Sequence, residues 1–214
     1  MNSGFIKRFG AFSSLHPAFA SSVRKRFRAF PAAAALAAST LAFGLAACNV
    51  SDPDEHNEEE LITTVLLAYT DTVSNLSDTV TFRDADGPGG LAPSAYDTIV
   101  LAPNRVYRVN LSLLDESHDD HAHDITAEVR DEGVDHQVFY AVAGANLVVA
   151  YRDQDANGLP LGLQTLQTTG AASTGTLTVT LKHQPGLKSA SSTVATGETD
   201  VQIAFQVRVA AAGI

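Results

Sequence analysis

Residues His118–His123 read "HDDHAH" and set three of the chain's seven histidines beside two aspartates. Neutral imidazole with carboxylate suits Zn²⁺ and other borderline cations. In an extended chain His121 and His123 point to one side, because side chains alternate along a strand. In a helix His118 and His121 pair at i,i+3 instead. Either geometry supplies two ligands, and Asp119, Asp120 or Asp124 can supply a third. The candidate metal set is therefore His118, His121, His123 and Asp120. His136, just past a predicted helix, can return to the same end of the domain and join them. The competing reading is a solvated acidic loop. Any zinc here would be gathered loosely, because a domain of about 170 residues needs no structural ion to fold.

A second stretch, "DQDANG", fits the first half of a calcium loop. Asp153, Asp155 and Asn157 stand at alternate positions, and Gly158 allows the sharp turn. The twelfth position holds Gln164 rather than a bidentate glutamate. Asp, Asn and Gly also favour plain hairpin turns, so a turn without Ca²⁺ is the alternative. Asp84-Ala85-Asp86-Gly87 carries a weaker form of the same pattern. No G-x-S-x-G motif and no glycine-rich phosphate loop occur. The serines cluster in turn-like runs such as "KSASST" (188–193). The chain lacks Trp, and its one Met is the first residue. We therefore expect no enzyme. A hydrolase with metal on His118, His121 and His136 is a third reading.

The elements that must position these residues show a two-residue period. "ITTVLLAYT" (62–70) is β-branched and apolar. In 78–84, Val80 and Phe82 share a face. In 105–114, Tyr107, Val109, Leu111 and Leu113 are in phase, with Arg108, Asn110 and Ser112 opposite. Residues 138–153 read as two strands around Gly144-Ala145-Asn146. Leu177, Val179 and Leu181 alternate with Thr178, Thr180 and Lys182, which are expected outside. His183 shares the inner phase, as a core or strand-end histidine. Val201, Ile203, Phe205, Val207 and Val209 form the cleanest inward row. "DITAEVRDEGVD" breaks the rhythm. Asp124 is a predicted N-cap, Gly133 a stop, and Ile125 and Val129 the buried face of a short helix over about 125–133. About eight short strands and one helix predict an all-β, antiparallel β-sandwich over residues 61–214.

The N-terminal region carries different chemistry. Lys7, Arg8, Arg24, Lys25, Arg26 and Arg28 precede an apolar run that ends in "LAAC". Basic, apolar and small-residue regions in that order predict a signal peptide over 1–47. Leu45-Ala46-Ala47-Cys48 resembles the bacterial lipobox, in which the cysteine is lipidated and becomes the first mature residue. Cys48 is the chain's single cysteine. Val23 is a candidate start for a more compact leader. Residues 48–60 form an expected acidic tether. Removing 1–47 takes six basic and no acidic residues, leaving 8 Lys+Arg against 24 Asp+Glu, a net −16 over 167 residues. That charge argues against nucleic acid, whose phosphates need a basic face, and is compatible with cations.

"HNEEELITTV", "DHQVFYAV", "YRDQDANGLPLGL", "GTLTVTLKHQPG" and "GETDVQIAFQV" together resemble a group of small bacterial lipoproteins. The resemblance covers most of 55–209. Some members carry the label "type 1 periplasmic-binding fold superfamily", a doubly wound fold unlike the all-β pattern read here. The resemblance implies an envelope location and brings no catalytic residues. Asn49 after Cys48, rather than Asp, predicts the outer membrane. The expected function is a lipid-anchored binding lipoprotein that captures a divalent cation, Zn²⁺ first and Ca²⁺ second. It would pass the cation to an outer-membrane transporter or another cell-envelope protein. The alternative is an interaction lipoprotein whose sheet binds a protein or glycan, with the histidine loop incidental.

Overall fold

Alternating apolar residues can bury one face of a strand and wet the other only if two sheets press together. The computed structural model describes residues 60–214, except Pro88, Asp119, Asp120 and Ala212, and shows this arrangement. The expected signal peptide, Cys48 and most of the expected tether lie outside the described residues.

The elements in chain order are β1 (Thr64–Asp71), β2 (Ser77–Arg83), β3 (Ala95–Tyr96), β4 (Ile99–Leu101), β5 (Val106–Asp115) and β6 (His123–Asp124). Then follow α1 (Ile125–Asp131), β7 (His136–Ala143), β8 (Leu147–Tyr151), β9 (Gln164–Thr169), β10 (Ser173–His183) and β11 (Glu198–Val209). One sheet runs β3-β2-β1-β5-β9-β8, with β6 paired to β5, and the other runs β4-β11-β10-β7. Eight strands have five or more residues, as the periodicity predicts, and three shorter ones join them. The fold is an all-β sandwich. One pairing departs from the antiparallel rule: β4 lies parallel to β11. Three residues are too few to show a period, so β4 was not legible as a strand.

Val65, Leu67 and Tyr69 of β1 and Tyr107, Val109, Leu111 and Leu113 of β5 face Leu177, Val179, Leu181, Phe205, Val207 and Val209 in one core. Full burial of a side chain of this size contributes about 1.5–3 kcal/mol. Two inner-row residues, Val201 and Ile203, are only half-buried. Thr180 and Lys182, expected outside, are buried. The Lys182 Nζ finds a partner across the sheet, donating to Thr199 Oγ1 at 2.7 Å.

The helix forms where Asp124 Oδ1 accepts the Thr126 N–H at 3.0 Å, an N-cap that satisfies an otherwise orphan donor. It ends at Asp131, two residues before Gly133. Glu132 is its C-cap, donating its N–H to the Glu128 carbonyl. Ile125 and Val129 are buried as expected. Thr126 fastens the helix to β5: its Oγ1 accepts the Leu113 N–H at 2.9 Å and donates to the Leu113 carbonyl at 3.1 Å. Among the described residues no helix is long and apolar enough to cross a membrane.

Candidate metal centre

The helix α1 and the turn after it place side chains every four residues on one side: Glu128, Glu132, His136. Backbone bonds hold the spacing, from Glu132 N–H to Glu128 O at 2.8 Å and from Asp135 N–H to Glu132 O at 2.9 Å. Glu60, just before β1, comes in from the other side. Ligand atoms of Glu60, Glu132 and His136 all lie within 4.8 Å of one another. A tetrahedral zinc with N and O ligands at ~2.0–2.2 Å needs donor atoms ~3.3–3.6 Å apart, so small side-chain rotations would close the set. Three protein ligands also leave a fourth position open.

His136 is fully buried, at 0% exposure, and its Nδ1 contacts the Glu132 carbonyl at 3.3 Å. Its Nε2 is buried with no hydrogen-bond partner. A buried polar atom left unpaired is destabilising unless something else satisfies it. The ring stacks on His183 at 4.6 Å between centroids and 7° between planes. The two residues are cross-strand partners on β7 and β10. Burial holds the His136 imidazole below its ordinary range, with the neighbouring His183 adding to the effect, so the ring stays neutral and able to bind a metal.

Glu60 is pushed up to about 7. Burial is the main cause, followed by the charge of Glu128 and a hydrogen bond to it, then the charge of Glu132. Two carboxylates that hydrogen-bond each other must hold a proton between them. A cation entering the group would displace that proton.

The predicted residues divide. His136 belongs to this group. His123, on β6, pairs through Nε2 with Glu128 Oε1 at 3.0 Å and is 60% exposed. Its charge also reaches Glu60, so it borders the group. His118 is exposed, with Nδ1 at 3.1 Å from Ser117 Oγ. His121 is exposed as well. Asp120 lies outside the described residues. Asp124 is committed to the helix cap.

The calcium-like stretch is a hydrogen-bonded turn. Asp153 accepts the Gly162 and Gln164 N–H groups at 2.8 and 2.9 Å. Asp155 Oδ1 accepts those of Asn157 and Leu159, and Oδ2 pairs with Lys188 Nζ at 2.8 Å. Lys188 also donates to the Gly133 and His136 carbonyls, each at 2.7 Å, and so anchors the backbone of the candidate ligand.

Glu60, Glu132 and Lys188 were not visible as site residues in the sequence reading. Glu60 ends an acidic run and Lys188 opens a serine-rich one, so composition hides both. The one available signal was the four-residue spacing of Glu128, Glu132 and His136. Comparison with known protein families, with curated proteins and with solved structures finds no match for this chain.

Proposed function

We propose that this chain is a lipid-anchored, non-enzymatic binding protein of the outer membrane. It captures a divalent cation of the zinc class at Glu60, Glu132 and His136. The observation that carries the reading is the convergence of two carboxylates on a fully buried imidazole whose Nε2 has no partner. Borderline cations favour that mixed nitrogen and oxygen set over the all-oxygen cages that calcium and magnesium take. His118, His121 and His123 serve as an exposed collecting loop, and His123 with Glu128 borders the inner group. The lipobox cysteine, Cys48, provides the anchor, and a transporter in the same membrane is the partner that such a protein would supply.

The test is isothermal titration of the purified full chain with zinc, copper and nickel. Wild type should bind one zinc per chain more tightly than any loop sites. His136→Ala with Glu132→Gln should weaken that binding at least tenfold, about 1.4 kcal/mol. Replacing His118, His121 and His123 together with alanine should leave the tight site intact. No binding of any of the three metals at tens of micromolar would sink the reading. The anchor has its own test: Cys48→Ser should leave the membrane fraction after a carbonate wash, because the two acyl chains would be gone.

A further inference from the structure

Lysine and arginine are scarce after residue 47, eight against 24 acids, and half of them are bound inside the protein. Arg83 pairs with Glu116, Arg105 with Asp71 and Lys188 with Asp155, and Lys182 donates to Thr199. Of the four that remain, Arg208 lies on the outer face of the β4-β11-β10-β7 sheet. Arg108, Arg130 and Arg152 gather instead at the outer face of the larger sheet. All three are exposed, and among the described residues none of their guanidinium groups has a hydrogen bond or an ion pair.

Strand register sets their places. Asn110 of β5 stands opposite Ala68 of β1 on one side and Gln164 of β9 on the other. The Arg152 N–H donates to the Gln164 carbonyl, which continues the β8–β9 pairing one residue past Tyr151. Arg152, Gln164, Asn110 and Ala68 therefore form one row, and side chains directly opposite share a face. Arg108 stands in the next row, opposite Leu166 and Thr70. Two strand spacings and one row step separate Arg108 from Arg152, roughly 12 Å between backbones, so their long stems let both guanidiniums reach one group set between them. The two arginines line a depression of about 460 Å³ together with Asn110, Gln164 and Thr72, and no aspartate or glutamate shares the lining. The acids next to Thr72 and Arg152 in sequence, Asp71 and Asp153, accept backbone N–H groups of Val73 and Ser74 and of Gly162 and Gln164. Asn110 and Gln164 also line a second depression, of about 410 Å³, which continues towards Ser112 and Arg130. Asp124 lines it too and offsets the charge of Arg130, so an anion belongs in the first.

We propose that this face binds an acidic sugar, with its carboxylate or phosphate between Arg108 and Arg152 and its hydroxyls on Asn110 and Gln164. The guanidinium fork matches an oxyanion with two parallel hydrogen bonds, and such charge-assisted bonds are the stronger kind. The amides of Asn110 and Gln164 have no partner among the described residues, so each offers both donors and an acceptor to a hydroxyl-rich ligand. Leu166 is the one apolar side chain of the outward phase in the first depression, which leaves a hydrocarbon body little to bury against. The backbone groups of β5 and β9 are paired within the sheet, so an extended peptide finds no strand edge to add to. A net charge of −16 after residue 47 repels a polyanion such as nucleic acid, and two guanidiniums suit a ligand with a single acidic group. This site shares no residue with the metal group and does not rest on it.

Chemical-shift titration of the full chain at fixed ionic strength tests the proposal with glucuronate, glucose 6-phosphate, glucose and inorganic phosphate. At least one acidic sugar should bind saturably, at least tenfold more tightly than glucose and than inorganic phosphate, and should move the amide signals of Asn110 and Gln164. The tighter of the two acidic sugars identifies the oxyanion as carboxylate or phosphate. Arg108→Gln with Arg152→Gln should lower that affinity at least tenfold. Both positions are exposed, so the thermal midpoint should stay within the range of ordinary surface changes. Arg208→Gln, on the other sheet, should leave sugar affinity unchanged, and zinc affinity should be the same in all these variants. No saturable binding of either acidic sugar, glucose or inorganic phosphate bound as tightly as both, or an affinity indifferent to the double substitution would overturn the proposal.

Discussion

Lys188→Met tests how the candidate ligand His136 is held. Lys188 and Asp155 are paired at 2.8 Å with side-chain exposures of 1% and 0%. The same ammonium donates to the Gly133 and His136 carbonyls. Methionine replaces most of the buried volume, so lost packing is a minor part of the effect. What remains is a buried carboxylate with no counter-charge and two carbonyls with no donor. Breaking a buried pair from one side costs about 3–5 kcal/mol. A domain of this size loses about 2–4 °C of midpoint per kcal/mol, so the thermal midpoint should fall by roughly 6–20 °C. Asp155→Asn in the same background removes the stranded charge and keeps the Oδ1 acceptor for Asn157 and Leu159. It should return part of the loss, with a coupling of about 1 kcal/mol or more. Urea denaturation followed by circular dichroism measures both. The pH dependence has a definite sign. Burial raises the Asp155 carboxyl, but the Lys188 bond and the Leu159 and Asn157 N–H groups outweigh it and hold it below 3.8. A lowered acid contributes stability above its unfolded value and loses it as pH falls through its folded value. The gap between wild type and Lys188→Met should therefore narrow below pH ~3.8. A loss under about 1 kcal/mol, typical of an ordinary surface change, would refute the argument. So would a double variant whose two losses simply add.

Glu60, pushed up to about 7, is the opposite case. A raised acid stabilises the fold fully below its unfolded value near 4.5 and loses that contribution as pH rises through about 7. Glu60→Gln should therefore raise the thermal midpoint at pH ~8 and change it little at pH ~4.5. With the same proton in competition, zinc affinity of wild type should fall about 100-fold from pH ~8 to pH ~5, against less than about 2-fold for an unperturbed carboxylate. Asp124→Ala removes the cap of α1 and should cost about 1 kcal/mol in denaturation. It should also weaken zinc binding, since α1 carries Glu128 and sets Glu132. Gly162 sits at φ +98, and an added Cβ would meet the Val138 carbonyl oxygen at 2.8 Å. Gly162→Ala should destabilise by about 1–3 kcal/mol from the backbone conformation alone.

Alternation along each strand determined the sheets, because a period of two fixes which side chains must leave water whatever they pack against. Asp124 and the Ile125–Val129 spacing determined the helix in the same local way. The expectation that His183 lies in the core, and that His136 lies at a helix end, also came from local phase. Partners across the fold could not be read locally. Lys182 and Lys188 look like surface cations, yet Thr199 on β11 for the first, and Asp155 with the Gly133 and His136 carbonyls for the second, provide the bonds that allow their burial. Val201 and Ile203 read as core, yet the opposite sheet does not reach them, and they line a cavity instead. The histidine-rich loop drew attention by composition, while the tightest cluster joins residues 60, 132 and 136. Glu60 is separated by more than seventy positions from its partners, and only the packing of β1 against β5, to which α1 is tied through Thr126, brings them within 4.8 Å. Sequence pattern reports how each segment meets water; which segments then meet one another is decided by the sum of all the packing.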